Sequence, residues 1–415
     1  MATASAPLRE TFRSLRVRDF RLFAAGMIGS LVGLWLQITA LAWWMYELTG
    51  SAAWVGSLFL ATQAPTLFLG PIAGAYADRL PKRSLLVAAQ SLSLVPAVLL
   101  GALAITGRGN AQWLFGAALL AGLARAFEVP TRQSFVPQLV ARDELSNAIA
   151  LNSMVFNVAR VVGPALAGVL IQTVGQAWCF FANAVACAWV VSTLARIRER
   201  GDPSPDRERR TLFADVHEGA LYVRRAPLFL ALFGCLLSLS IFGMPYGTLL
   251  PSFAERVLER GPGAYSAMQV AVALGALCGA FVLARRTGVA SGLERWVLWG
   301  GSGFGVGLAL LSRAPDLWTT LALLAFLGFT FMIHLSSSNV IAQTAAPDGL
   351  RGRVMSLHTT LFLGVYPFAG LVAGATSDRI GERPVMLACG VSVLVGLQLF
   401  GRRLVAAASD SQPDG

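Results

Sequence analysis

Residues 22–46 read LFAAGMIGSLVGLWLQITALAWWMY, twenty-five consecutive positions without a charged side chain. An α-helix rises 1.5 Å per residue, so about 20 such residues cross the roughly 30 Å hydrocarbon core of a bilayer. The stretch exceeds the apolar core of a cleavable signal peptide, and no A-x-A site follows it. Just ahead stand Arg9, Arg13, Arg16, Arg18 and Arg21, a cluster expected to hold that end in the cytoplasm.

Working outward, eleven further weakly charged runs follow at 52–77, 84–107, 112–131, 145–173, 176–195, 226–251, 264–284, 295–312, 317–345, 354–377 and 384–401. The alternation of a lipid-facing barrel is absent, so these read as helices. Composition agrees: 55% of the 415 residues are hydrophobic and 13% charged, and mean hydropathy is +0.63. A soluble chain carries roughly 25% charged residues. The expected fold class is an all-α membrane protein with twelve transmembrane helices, its solvent mostly lipid.

The basic residues set the orientation. Threading twelve spans from a cytoplasmic N-terminus places twenty-five Lys and Arg at cytoplasmic positions and six in outer loops, with Arg125 and Arg160 inside spans. Both termini are thereby expected inside. Trp43, Trp44, Trp54, Trp113, Trp178 and Trp318 fall at the expected outer interface. The longest hydrophilic stretch divides the spans six and six, giving bundles at 1–197 and 226–415 joined by a cytoplasmic linker at 198–225. Within that linker, 211–222 suggests a short amphipathic helix. Asp143-Glu144-Leu145 and Asp348-Gly349-Leu350 stand ahead of spans 5 and 11, a weak internal repeat.

Several function classes are excluded. Net charge is +11, but the basic residues form short runs between apolar stretches, which does not suit nucleic acid. The one lysine, Lys82, sits between Pro81 and Arg83, so the chain has no P-loop and implies no ATPase subunit. No hydrolase elbow or metalloprotease helix is present, so an enzyme is not expected, nor a metal or other cofactor. Cys179, Cys187, Cys235, Cys278 and Cys389 lie in apolar segments and read as packing thiols.

After span 2 the chain reads Gly74-Ala-Tyr-Ala-Asp78-Arg79-Leu-Pro81-Lys82-Arg83. This resembles the G-x-x-x-D-R-x-[GP]-[RK]-[RK] signature of the major facilitator superfamily at every specified position. The resemblance implies a fold of two pseudo-symmetric six-helix bundles and a gating role for this loop. Gly74 is expected to admit a neighbouring helix, and Asp78 to face the start of span 11 near Arg351 and Arg353. A second copy, Gly374 to Arg383, carries Asp378-Arg379 but Glu382 in place of a basic residue, and reads as a remnant of the repeat. Span 5 contains Gly163-Pro164 and Gly168, similar to the exporter signature of the same superfamily with alanine at two glycine positions. Residues 130–137 and 147–153 are similar to the bacterial branch that includes the enterobactin exporter.

Polar residues inside spans mark the candidate site. Arg160 shares a face of span 5 with Asn157, and an Arg at that depth needs a cavity or partner. Arg125 and Glu128, three apart on span 4, are expected to pair and are the candidates for proton coupling. The resemblance implies a cavity lined by spans 1, 4, 7 and 10, offering Trp35, Gln37, Phe242, Tyr246, His334 and Asn339. The expected function is a secondary active transporter exporting an amphipathic small molecule, such as a siderophore, drug or metabolite, across the bacterial cytoplasmic (inner) membrane by proton antiport. The alternatives are an uptake permease of the same fold and a lipid translocator.

Overall fold

A computed structural model describes residues 13–199, 201–202, 221–285 and 292–410, apart from the side chains of residues 71, 75, 78 and 408–410. Twelve long helices make up nearly all of it. They are α1 (Arg18–Thr49), α2 (Ala52–Arg79), α3 (Lys82–Thr106), α4 (Ala111–Leu139), α5 (Leu145–Thr173) and α6 (Ala177–Arg196). After Arg225 come α7 (Pro227–Val257), α8 (Gly261–Ala284), α9 (Leu293–Leu311), α10 (Leu317–Ala345), α11 (Arg351–Ile380) and α12 (Glu382–Asp410). Most of the linker, including 203–220 and so nearly all of the expected 211–222 helix, lies outside the described residues.

Eleven of these helices are long and apolar enough to cross a membrane. The exception is α9, the helix expected over 295–312. Gly300, Gly301, Gly303, Gly305 and Gly307, with Glu294 and Arg295, dilute its hydropathy. Those glycines are packing surface. A Cβ on Gly300 would stand 2.6 Å from His334 N on α10, and one on Gly305 would stand 3.1 Å from the Gly390 carbonyl on α12. Close backbone approach of this kind replaces bulk apolarity in holding a membrane helix.

The chain forms two compact units. One comprises the described parts of residues 1–44 and 64–207, and the other those of 45–63 and 208–415. In the first unit, Phe20, Phe23, Leu86, Phe135, Leu151 and Leu194 form a buried cluster at one end of α1 and α3–α6. Polar ties close that end. Arg13 pairs with Asp143 at 2.7 Å and Glu144 at 3.2 Å, and Ser14 Oγ donates to Asn147 Oδ1 at 2.7 Å. Asp19 accepts from the amides of Arg198 and Glu199, both at 3.0 Å, fixing the chain as it leaves α6.

Local signals set the helix ends. Gly107, at φ 65°, terminates α3 in the left-handed conformation that glycine adopts without steric cost. Asn110 and Asp316 cap α4 and α10, accepting from Trp113 N and Thr319 N, both at 2.9 Å. In α7 the regular winding gives way to π-helical turns at Leu239–Gly243 and Phe253–Val257. Pro245 and Pro251, which cannot donate to the helical ladder, lie beside them.

Two of the six tryptophans expected at the outer interface do not serve there. Trp43 and Trp44 are 5% and 4% exposed, and Trp44 packs on Phe180 with ring centroids 5.7 Å apart. Burying these large rings inside the unit removes more surface than seating them in headgroups. Trp54, Trp113, Trp178 and Trp318 are exposed. All five cysteines are free, with Cys278 exposed and Cys179, Cys187 and Cys235 buried.

Candidate functional site

In the first unit the expected site residues separate into three groups. The first surrounds Trp35 on α1. Phe156 of α5 meets its ring edge-on at 6.1 Å, and the Arg160 guanidinium lies 6.0 Å from the ring centroid. A cation over an indole face is attracted by the ring quadrupole, the more so where water is thin. Phe156 is exposed, Trp35 and Arg160 half-buried, and the Trp35 Nε1 donor has no partner. The result is an aromatic and cationic surface, with the Trp35 Nε1 donor itself buried. Asn157 donates to Ser153 O on its own helix at 2.9 Å.

The exporter-like signature brings these helices together. A Cβ on Gly163 would collide with Trp35 Cβ and approach Val32 O at 3.1 Å and Leu36 N at 3.2 Å. Gly163, Pro164 and Gly168 are buried. The missing side chain lets α5 dock on α1 one turn from Arg160.

The second group is acidic and basic, and its pairing differs from the expected one. Glu128 is 8% exposed and meets Arg132, at 3.4 Å, not Arg125. Arg125 makes no ion pair among the described residues. Both positions lie within helical reach of Glu128, at three residues back and four on, and the forward spacing with the acid leading is the better oriented.

Third is the loop signature, which ties α3 to the chain beyond α6. Lys82, 2% exposed, donates from Nζ to Asp202 O at 2.8 Å and from its amide to Gly201 O at 3.0 Å. Arg83 donates to Ala195 O at 3.0 Å. Pro81 stands at the N-cap of α3, and Arg79 is exposed. Gly74 departs from expectation: no heavy atom lies within 4 Å of where its Cβ would be, so no neighbour in this structure requires its small size. The Asp78 side chain lies outside the described residues. Arg351 pairs with Asp348 at 2.7 Å.

Gln37, expected on an open wall, is buried and accepts from Asn183 Nδ2 of α6 at 2.7 Å. A buried amide must find such a partner, and here it fastens α1 to α6.

In the second unit, Phe242 is exposed in the first π-helical turn of α7. Tyr246 is buried and leads a run of rings through Phe304 (5.8 Å), Phe331 (6.3 Å) and Phe362 (5.8 Å). His334 is fully buried, its Nδ1 2.8 Å from Val297 O, so it packs toward α9 and lines no open surface. Its Nε2 and Ser337 Oγ have no partner, while His358 Nε2 lies 3.3 Å from Ser338 Oγ. Asn339 accepts from Gln343 at 2.6 Å.

The same unit contains a contact network that sequence reasoning missed. Asp378, in the second copy of the signature, caps α2. Its Oδ1 accepts from Ala52 N at 2.8 Å, and its Oδ2 from Ala53 N at 3.1 Å and Ser51 Oγ at 2.5 Å. Arg256 donates to Gly50 O, lies 3.5 Å from the buried Glu382, and stacks 5.7 Å from the Tyr46 ring centroid. A Cβ on Gly374 would sit 2.9 Å from Ala53 Cα. The segment is no idle remnant of a repeat. Glu382, the residue that breaks the basic signature, is the partner that Arg256 uses.

The sequence pattern of the transmembrane secretion effector family matches residues 3–413. The chain belongs to that family of major facilitator transporters. Its relatives include the multidrug efflux pump Tap of Mycolicibacterium fortuitum, 28% identical over 385 residues, covering 90% of this chain and 92% of that one. The staphyloferrin A transporter of Staphylococcus aureus is 23% identical over 378 residues, covering 89% and 92%. Among solved structures, the nucleoside transporter NupG superposes with a TM-score of 0.74 at 15% identity, covering 93% of this chain and 99% of its own. This transporter therefore has the major facilitator fold, spans the membrane many times, and is not an enzyme.

Proposed function

We propose that this transporter exports an amphipathic small molecule across the bacterial cytoplasmic membrane, driven by inward movement of protons. The observation that carries the substrate class is the Trp35–Phe156–Arg160 group. It offers ring faces and a cation on adjoining helices of one unit. Such a surface suits a flat or branched apolar body bearing an acidic or carbonyl group. Two relatives at full-length coverage are named for drug efflux and for a siderophore, which supports the same class. The arginine bias supports a cytoplasmic location for both termini.

Energy must come from a gradient, because the sequence has no nucleotide-binding lysine. One proton crossing about 100 mV supplies about 2.3 kcal/mol, enough for a roughly 40-fold substrate gradient. Glu128 is our choice for the coupling carboxylate, since it is buried at mid-helix beside Arg132. The loop from Gly74 to Arg83 is assigned the gating role that its signature implies. Accumulation of a panel of dyes, drugs and siderophores in cells, with and without a protonophore, tests the reading. Lower accumulation in expressing cells, erased by the protonophore, is expected. Higher accumulation would establish uptake instead.

A further inference from the structure

Helices α9 and α12 pack antiparallel within the second unit. Gly301 faces Leu397 and Gly305 faces Leu394, and a side chain at Gly401 would strike Leu298. Between them runs an open groove of about 740 Å³. Its walls are mostly Leu298, Val391, Leu394 and Val395, with Ser302 among them, and toward one end come Gln398 and Arg402, with Val405 a turn further on. Val391 and Val395 are 47% and 53% exposed, so this face of α12 belongs to the membrane side of the helix.

The groove is graded along its length. Val391, Val395, Gln398 and Arg402 follow helical spacing along one face. From Val391 to Arg402 is eleven residues, about 16 Å of helix, close to half the roughly 30 Å hydrocarbon thickness. Apolar side chains occupy the inner two-thirds, an amide follows, and a guanidinium stands near the end of a span that runs to Ala407. Arg403 follows directly. Arg295 lies one turn beyond Leu298, toward the same end of the pair. All three arginines are exposed, and none makes an ion pair among the described residues.

We propose that this groove binds one anionic phospholipid, its phosphate held by Arg402, with Arg295 and Arg403 adding positive charge at the same end, and one acyl chain lying against Val391 and Val395. Two features select a lipid over a soluble anion. The full groove from Val391 to Arg402 matches the depth of one leaflet, and exposed arginines at a bilayer interface attract anionic headgroups. Gln398, one turn inward of Arg402, would meet the glycerol esters of that lipid with an amide to donate.

The test is native mass spectrometry of the purified full-length protein in detergent, titrated with phosphatidylglycerol or phosphatidylcholine. One tight phosphatidylglycerol is expected, with phosphatidylcholine at least about fivefold weaker. Arg402→Gln should weaken phosphatidylglycerol about fivefold, corresponding to about 1 kcal/mol per interfacial arginine. Arg402→Lys should retain most of the binding. Val395→Trp fills the groove and leaves every charge in place, and it should also lose the tight lipid. Unchanged binding in Val395→Trp would overturn the proposal in favour of general attraction at the interface. Equal binding of the two lipids would overturn it too, as would full competition by glycerol 3-phosphate, which would make this a soluble phosphate site.

Discussion

Replacing Asp378 with alanine removes three hydrogen bonds at once, those from Ala52 N, Ala53 N and Ser51 Oγ. Ala52 is fully buried, so its amide has no ready access to water once the carboxylate is gone. An unsatisfied buried amide costs about 1–3 kcal/mol, and loss of a helix N-cap costs about 0.5–2 kcal/mol. These two figures describe the same bonds from different sides and are not summed. Asp378 itself is exposed, which lets water soften the loss. About 1–2 kcal/mol remains, a 5- to 30-fold rise in the population with this end of α2 detached. Hydrogen exchange of the purified transporter reads that population directly at the amides of residues 52–54. They should exchange 5- to 30-fold faster in Asp378→Ala, with an intermediate effect in Asp378→Asn, and amides in α3 should not change. If residues 52–54 exchange at the original rate, the cap is not holding α2, and the role given to the second signature falls.

Gly163→Ala should lower the thermal midpoint of the purified protein by the equivalent of about 1–3 kcal/mol, because the new methyl group forces α5 away from α1. A midpoint equal to the original would show that the α1–α5 contact has slack. Asp316 has its carboxyl held below the usual carboxylate range, first by the Thr319 amide and then by the Thr319 hydroxyl. Its contribution is therefore present above that range and lost as the pH falls through the lowered value. The stability gap between the protein and Asp316→Asn should be constant near neutrality and close below the carboxylate range. A gap that persists in acid would contradict the charged cap.

Spans at 145–173 and 317–345 coincide with α5 and α10, because lipid imposes one criterion that each segment meets by itself. Other helices extend beyond their apolar runs. Span 4 was expected to end at 131, but α4 continues to Leu139 through Pro130 and Pro137. Charge and proline signal the end of an apolar run, which is not the end of a helix that continues into polar surroundings. Contacts between distant residues were beyond sequence reasoning. Gln37 gave no sign that Asn183, 146 positions away, would claim its amide. Arg125 and Arg132 both stand at helical spacing from Glu128, and the better orientation of the i,i+4 pair with the acid leading agrees with the observed partner, Arg132. The repeated signature at 374–383 did carry a signal, but the α2 end that it caps lies more than 300 residues earlier.

Proton-driven export through Glu128 is the central claim, and uphill efflux in proteoliposomes with an imposed pH difference tests it most directly. The native protein should concentrate substrate against its gradient and stop when the pH difference is collapsed. Glu128→Gln removes the carboxylate at nearly constant volume, and it should abolish concentration while leaving downhill exchange of substrate intact. Concentration by Glu128→Gln equal to that of the native protein would contradict the account and leave Glu128 and Arg132 as a structural pair.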